Sequence, residues 1–379
     1  MLTRVLCLSI AIAATTSTVS HAGAMSPVAS FGANPGGLSA YEYIPAGLPA
    51  NAPMVVVLHG CTQSAAAMEN AGWQAIADEY KFAVLYPEQT TANNPVRCFN
   101  WAGENGDPAN LVRGQGENAS IMAMIDAQIA THGIDAKRVF VVGFSAGAGF
   151  TAVMLATWPE RFAAGAIMSG LPYRCATTVN GAFSCLNPGV DRTPAAWGTL
   201  VRTASGGFTG TWPKVQIWQG ATDTTVAPKN ADELVDQWTN VHGITAAPES
   251  ETIGSAVRTT YASGGSVVVE SYRIAGMGHA IVVGTDPLGA CSGTTGSYFV
   301  DKGVCSTLRA AQFFGLTSGG DGDGSGSGSG SGSGEGGGGD GGDHGAGAVD
   351  GGSGCSAGPE PTWLAMLALL GLRRRRARG

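Results

Sequence analysis

Charge is the scarcest ingredient of this chain: Lys, Arg, Asp and Glu make up only 13% of its 379 residues, and the formal net charge is -7. Tracking a phosphate backbone takes a dense basic face. The one basic cluster, Arg373 to Arg376 with Arg378, stands at the extreme C-terminus, so a nucleic-acid partner is excluded. Metal-ligand spacing is absent too: no CxxC or HxxxH pair occurs, and no metal or organic cofactor is expected. Long apolar runs are also missing from the body of the chain, although 44% of all residues are apolar. That fraction at this length allows a sizeable buried core in one large domain or two modest ones.

The two ends differ from the body. Residues 1–24 carry the pattern of a secretory signal: Arg4, the apolar run Val5 to Ala14, and small residues at Ser20-His21-Ala22 or Ala22-Gly23-Ala24 for cleavage. The run is too short for a bilayer span, so export to the extracellular space or cell surface is expected. Of eight cysteines, Cys7 belongs to the signal and Cys355 to the tail, leaving six in the body. An even number in an exported domain predicts disulfides. Cys175 with Cys185 and Cys291 with Cys305 are short loop closures that leave Cys61 for Cys98, among the fifteen pairings that six cysteines allow. Residues 317–354 are almost all Gly, Ser and Asp, a composition that buries nothing and predicts a flexible linker.

Between these ends, residues 25–316 read as one domain. Met54 to Leu58, Phe82 to Tyr86, Val139 to Val142 and Gly165 to Met168 are apolar runs without polar alternation, as for parallel strands covered on both faces. Val215 to Trp218 and Val267 to Ile274 are further strands. Ala65 to Tyr80, Glu117 to Thr131, Ala146 to Thr157 and Lys229 to Val241 read as helices between them. Strands alternating with helices predict an α/β fold with a mostly parallel sheet flanked by helices.

Gly143-Phe144-Ser145-Ala146-Gly147 lies between the strand ending at Val142 and the helix beginning at Ala146. In that context G-x-S-x-G is the nucleophile elbow of the α/β-hydrolase fold, where small residues let the chain turn tightly enough to expose a serine. A serine hydroxyl needs an imidazole to take its proton, and the imidazole needs a carboxylate behind it. In this fold the order is Ser, acid, His, on loops after later strands. His279, in Gly276-Met277-Gly278-His279 after the strand ending at Ile274, is the candidate base, and Asp223, after the strand ending at Trp218, the candidate acid. An oxyanion needs two N–H donors. Ala146, next to the nucleophile, and Cys61, in the loop His59-Gly60-Cys61 after an early strand, are the candidates. Trp101 and Trp218 are candidates for a substrate subsite, with burial in the core the competing reading.

These motifs are similar to a known family. Leu58-His-Gly-Cys-Thr-Gln63, Cys98-Phe-Asn-Trp101, Arg113-Gly-Gln-Gly-Glu117, Ile134-Asp-Ala-Lys-Arg-Val139, Gly143-Phe-Ser-Ala-Gly147, Ile217-Trp-Gln-Gly220 with Asp223, and Gly276-Met-Gly-His279 together resemble the polyhydroxybutyrate depolymerase family of esterases, with feruloyl and acetylxylan esterases among its relatives. The resemblance runs in order from about Tyr41 to Leu316 and puts the family's triad on Ser145, Asp223 and His279. Members often carry Trp shortly after the catalytic His, where this chain has Ala280-Ile281-Val282-Val283. Members that attack insoluble granules usually carry an additional binding domain, so soluble oligomers or plant-wall esters are the expected substrates ahead of crystalline polyester. Residues 355–379, with Cys355, the apolar stretch Trp363 to Leu372 and the arginines, resemble the surface-sorting tails of myxobacterial proteins. That resemblance implies processing at Cys355 by a sorting protease after transient membrane association; a plain membrane anchor is the alternative.

The expectation is therefore a monomeric, exported serine ester hydrolase that forms an acyl-enzyme, acting first on short-chain hydroxyalkanoate polyester or oligomers. A feruloyl or acetylxylan esterase is the alternative. A surface binding module that kept the fold without the chemistry is the competing reading from another class.

Overall fold

The computed structural model describes residues 24–103 and 108–317. All but the last residue of the expected signal segment, nearly all of the Gly/Ser/Asp-rich stretch, and the C-terminal residues with Cys355 lie outside the described residues.

One ten-stranded sheet organises the described chain. Its strands are β1 (Ser26–Pro27), β2 (Ser39–Tyr43), β3 (Met54–Leu58), β4 (Ala83–Glu88), β5 (Val139–Phe144), β6 (Ala164–Met168), β7 (Lys214–Gly220), β8 (Glu249–Ile253), β9 (Ala256–Ser263) and β10 (Ser266–Ile274). They lie in the order β1-β2-β4-β3-β5-β6-β7-β10-β9-β8. From β4 across to β10 every neighbouring pair is parallel. Both edges are closed by antiparallel strands.

The central strands are apolar without alternation because both of their faces are covered. In β3, Met54, Val56 and Leu58 pack into one core cluster while Val55 and Val57 pack into the other. The first cluster takes Ile121 and Ile125 of α2 (Gly116–His132), Phe150 of α3 (Ala146–Thr157), Trp197 of α5 (Pro194–Ala204) and Trp238 of α6 (Lys229–Val241). The second takes Trp73 and Ile76 of α1 (Trp73–Tyr80) and Leu308 of α7 (Ser306–Phe313). Each large buried side chain of this kind stabilises by roughly 1.5–3 kcal/mol. A one-residue slip of β3 would exchange the two sets, so its register is fixed from both sides.

The six expected strands and the helices at 117–131, 146–157 and 229–241 all form, with bounds shifted by two residues or fewer at most ends. Ala65 to Tyr80 is the exception. A short 3-10 turn, Ala66–Ala71, gives way to α1 at Gly72, whose φ of 82° is left-handed. Any side chain there would also collide with the backbone, since a Cβ would stand 2.6 Å from Gly293 N. The outer antiparallel strands β1, β2, β8 and β9, with α4 (Val179–Leu186) and α5, were not among the expected elements. In β8 the first four residues are exposed, so no apolar period marks it.

Cys61 with Cys98, Cys175 with Cys185, and Cys291 with Cys305 are joined as disulfides. Their sequence separations are 37, 10 and 14 residues; Cys61, Cys98 and Cys175 lie on the segments that follow β3, β4 and β6, Cys185 lies within α4, and Cys305 directly precedes α7.

Candidate active site

β5 ends at Phe144 and α3 begins at Ala146, so Ser145 alone makes the turn, with φ 55° and ψ -119°. For a residue with a side chain such a conformation costs on the order of 1–3 kcal/mol and persists only where the surroundings enforce it. Two glycines show how tight those surroundings are. A Cβ on Gly143 would stand 2.3 Å from Gly147 O, and one on Gly147 would stand 2.4 Å from Leu58 O and 2.5 Å from His59 O. The Ser145 amide donates to Met168 O of β6 at 3.0 Å, pinning the elbow to the next strand.

His279 reaches Ser145 from the loop after β10. That loop is held against the loop after β7: Thr222 donates to Met277 O through its amide at 3.0 Å and its hydroxyl at 2.9 Å. A Cβ on Gly220 would stand within 2.4 Å of Met277 O and 2.3 Å of Gly278 O, so the glycine allows the two loops to touch. The result is a relay: His279 Nε2 lies 2.9 Å from Ser145 Oγ, and His279 Nδ1 lies 2.8 Å from Asp223 Oδ2. A carboxylate has only acceptors to offer, so the proton of the neutral ring sits on Nδ1 and Nε2 is free to accept from the hydroxyl.

Asp223 is 3% exposed, and its charge is met by donors. Oδ1 accepts from the amides of Thr225 and Val226, both at 2.9 Å. Oδ2 accepts from Gln219 Nε2 at 3.1 Å as well as from the imidazole. A buried carboxylate so surrounded keeps a fixed direction.

The segment His59-Gly60-Cys61 follows β3, and the approach of Gly147 to Leu58 O and His59 O sets it against the first turn of α3. Cys61 and Ala146 are thereby brought to the same end of the sheet as Ser145. The Gly60 amide donates to Gln63 Oε1 at 2.8 Å. His59 is fully buried; its Nδ1–H donates to Gly60 O at 2.7 Å and its Nε2 accepts from the Gln89 amide at 3.0 Å. Burial, with a smaller effect of the Arg97 charge, pushes this imidazole down to about 4.

The structure does not place Trp218 at a subsite. It is 2% exposed, stacked on Tyr272 with ring centroids 3.8 Å apart, and its Nε1 donates to Gln216 Oε1 at 2.7 Å, all marks of a core residue. Trp101 is 5% exposed and packs on α3, where a Cβ on Gly149 would stand 2.9 Å from its ring. What the sequence reading missed is Tyr298. Its half-buried ring lies edge-on to His279 with centroids 6.3 Å apart and 5.9 Å from Phe144. Its φ of 66° is unusual for an aromatic residue, and no periodic signal in the sequence marks it. Among the described residues no group of three or more His, Cys, Asp or Glu is gathered as metal ligands would be.

A family model described as esterase PHB depolymerase matches residues 38–260. The chain belongs to that family. It is 48% identical over 295 residues to poly(3-hydroxyalkanoate) depolymerase C of Paucimonas lemoignei, covering 77% of this chain and 70% of that protein. It is 35% identical over 274 residues to feruloyl esterase B of Neurospora crassa, covering 70% of this chain and 91% of that one. An acetyl xylan esterase from Aspergillus awamori superposes with a TM-score of 0.65 at 27% identity, over 78% of this chain and all of that structure. The fold is of the α/β-hydrolase type, and this member of the PHB depolymerase family is a carboxylic ester hydrolase.

Proposed function

We propose that the protein is an exported serine esterase in which Ser145 is the nucleophile, His279 the general base and acid, and Asp223 the residue that orients the imidazole. The observation that carries this reading is the continuous line of 2.9 Å and 2.8 Å contacts from Ser145 Oγ through His279 to Asp223. As Oγ attacks the ester carbonyl carbon, its proton passes to His279 Nε2. The carbonyl oxygen, now an oxyanion, is met by the Cys61 and Ala146 amides, with the N-terminus of α3 adding its positive end. Collapse breaks the bond to the alkoxy oxygen, and the alcohol leaves with the proton from His279. Water then gives its proton to the same nitrogen and its oxygen to the acyl carbon. A second collapse frees the carboxylic acid and returns the proton to Ser145.

The substrates proposed first are short-chain hydroxyalkanoate polyesters or oligomers, on the strength of the 48% identity to a poly(3-hydroxyalkanoate) depolymerase. A feruloyl or acetylxylan esterase is the second reading, favoured by the 35% identity to a feruloyl esterase and by the structural match to an acetyl xylan esterase. Three disulfides and the N-terminal signal pattern support export. The linker and the Cys355 tail fit a surface-retained enzyme that is handed to a sorting protease. Labelling by a fluorophosphonate tests the chemistry: the label is expected on the peptide that contains Ser145. A protein that stays unlabelled would be a binding module. Parallel assays on hydroxybutyrate oligomers, methyl ferulate and acetylated xylan decide between the substrate classes by kcat/KM.

A further inference from the structure

Behind the oxyanion loop lies an acid that the reaction scheme does not use. Glu117, in the first turn of α2, is completely buried. Its Oε1 accepts from Gln89 Nε2 at 2.6 Å, from Asn93 Nδ2 at 2.8 Å and from Asn100 Nδ2, and its Oε2 accepts from the Asn100 amide at 2.9 Å. The Glu117 amide is itself held by Asn110 Oδ1 at 2.7 Å. Both carboxyl oxygens receive N–H donors, which suits the charged form. Burial works against that charge and pushes the carboxyl up to about 7. Burying an acid in this way is costly, and a hydrophobic residue or a glutamine would be the cheaper way to fill the space. Something gains from the fixed position of those donors.

Two of these donor residues, Gln89 and Asn100, lead towards the Cys61 amide. Gln89 Nε2 also donates to Cys98 O at 3.0 Å, and Asn100 is two residues beyond Cys98. Cys98 is bonded to Cys61. By a second route the Gln89 amide donates to His59 Nε2, and His59 Nδ1 donates to Gly60 O. The His59 ring also packs on Phe99, with centroids 4.9 Å apart. Glu117 thus grips the chain on either side of Cys98 and the strand end at Gln89, and these two segments meet at residues 59–61.

We propose that Glu117 is a positioning residue for catalysis: through Gln89, Asn100 and the Cys61–Cys98 disulfide it sets the place of the Cys61 amide in the oxyanion hole. This inference rests on the reading of Cys61 as an oxyanion donor. In Glu117→Gln one oxygen is replaced by an NH2 group that must face a donor, either the Asn100 amide or the cluster at Oε1. The contacts to residues 98–100 loosen while the size of the side chain is kept. A displaced donor acts on the transition state more than on bound substrate.

The test is steady-state kinetics on a soluble p-nitrophenyl ester with the full chain, well above neutral pH, together with inhibition by an alkyl trifluoromethyl ketone, which forms a tetrahedral oxyanion at the serine. In Glu117→Gln the kcat is expected to fall roughly 10- to 100-fold with KM within about twofold. The ketone should bind weaker by about the same factor as kcat falls. Should that variant fail to fold, Gln89→Met, which removes the donors to Glu117 and Cys98 O, should show the same pattern more mildly. Restoring the acid with Glu117→Asp should recover part of the loss. Wild-type kcat and ketone affinity in these variants would overturn the proposal. So would a loss wholly explained by fewer titratable active sites, the signature of a merely structural role. Ser145→Ala separates the two levels: if it is inactive while Glu117→Gln behaves as wild type, this proposal fails and the nucleophile stands; if it is active, the underlying reading of the site fails.

Discussion

At the scale of single residues, the proposed chemistry depends on a few side chains and amides being held in place. Asp223 spends its four received hydrogen bonds on keeping a charge buried and pointed at Nδ1. Asp223→Asn would present an NH2 group to that nitrogen and favour the wrong tautomer. Activity at neutral pH is expected to fall on the order of 10^3- to 10^4-fold with an intact fold, read by kcat on a soluble ester and by circular dichroism. A loss below tenfold would contradict the role given to the carboxylate. Gly147→Ala is expected to be worse for the fold, because its Cβ would stand 2.4 Å from Leu58 O. Backbone on both sides leaves nowhere for it to go, and a lowered Tm or loss of soluble protein checks this.

His59 and Glu117 also set the dependence of stability on pH. His59 is depressed from 6.5 to about 4, so the stability linked to it is complete above about 6.5 and is lost as pH falls towards 4. Glu117 is raised from 4.5 to about 7, so its contribution has the opposite sense: complete below about 4.5 and gone once pH has passed 7. Between about 4.5 and 6.5 the two slopes oppose each other. Removing the acid with Glu117→Gln should therefore expose the histidine slope, and Tm should fall more steeply than in the wild type on acidification through that window. Parallel Tm profiles for the two proteins would contradict it.

At the scale of elements, what matters is which loops are tied together. The Cys61–Cys98 bond closes a 37-residue separation, and loop-closure entropy assigns such a crosslink about 3–4 kcal/mol. Replacing both cysteines with serine should lower stability to urea by about that much and lower kcat as well, since the Cys61 amide loses its covalent tie. A change in stability alone, with kcat unaltered, would remove the disulfide from the catalytic account. The elements best read from sequence were those whose surroundings are uniform. The apolar runs of β3 and β5 and the helices at 146–157 and 229–241 carry clear periodicity or its clear absence. The outer antiparallel strands were missed because half-exposed antiparallel pairs such as β8 and β9 have mixed patterns, and the break at Gly72 was missed because it answers to a distant contact with Gly293.

The same division holds for the site. Ser145, Asp223 and His279 were legible because the elbow glycines and the strand-end positions leave a local trace, and the structure brings the three together. Tyr298 and the Glu117 network were not, since both depend on which loops meet in space. Trp218 illustrates the converse: a conspicuous aromatic at a strand end turned out to face the core, where its indole N–H has a partner in Gln216.

At the scale of the whole molecule, one continuous sheet carries the serine, acid and histidine loops at the same end of its parallel strands, so these loops share one support. Substrate preference belongs to this scale, because segments distant in sequence meet near the serine, as where Tyr298 of the Cys291–Cys305 loop lies against His279. Hydroxybutyrate oligomers are expected to give the highest kcat/KM, with methyl ferulate and acetylated xylan slower. A higher value on either plant-wall ester would move the protein to the second reading without disturbing the chemistry. That chemistry is tested most directly by hydrolysis of a short p-nitrophenyl ester by the wild type and by Ser145→Ala. A loss on the order of 10^3-fold or more in kcat/KM is expected; equal activity in the two proteins would contradict the account.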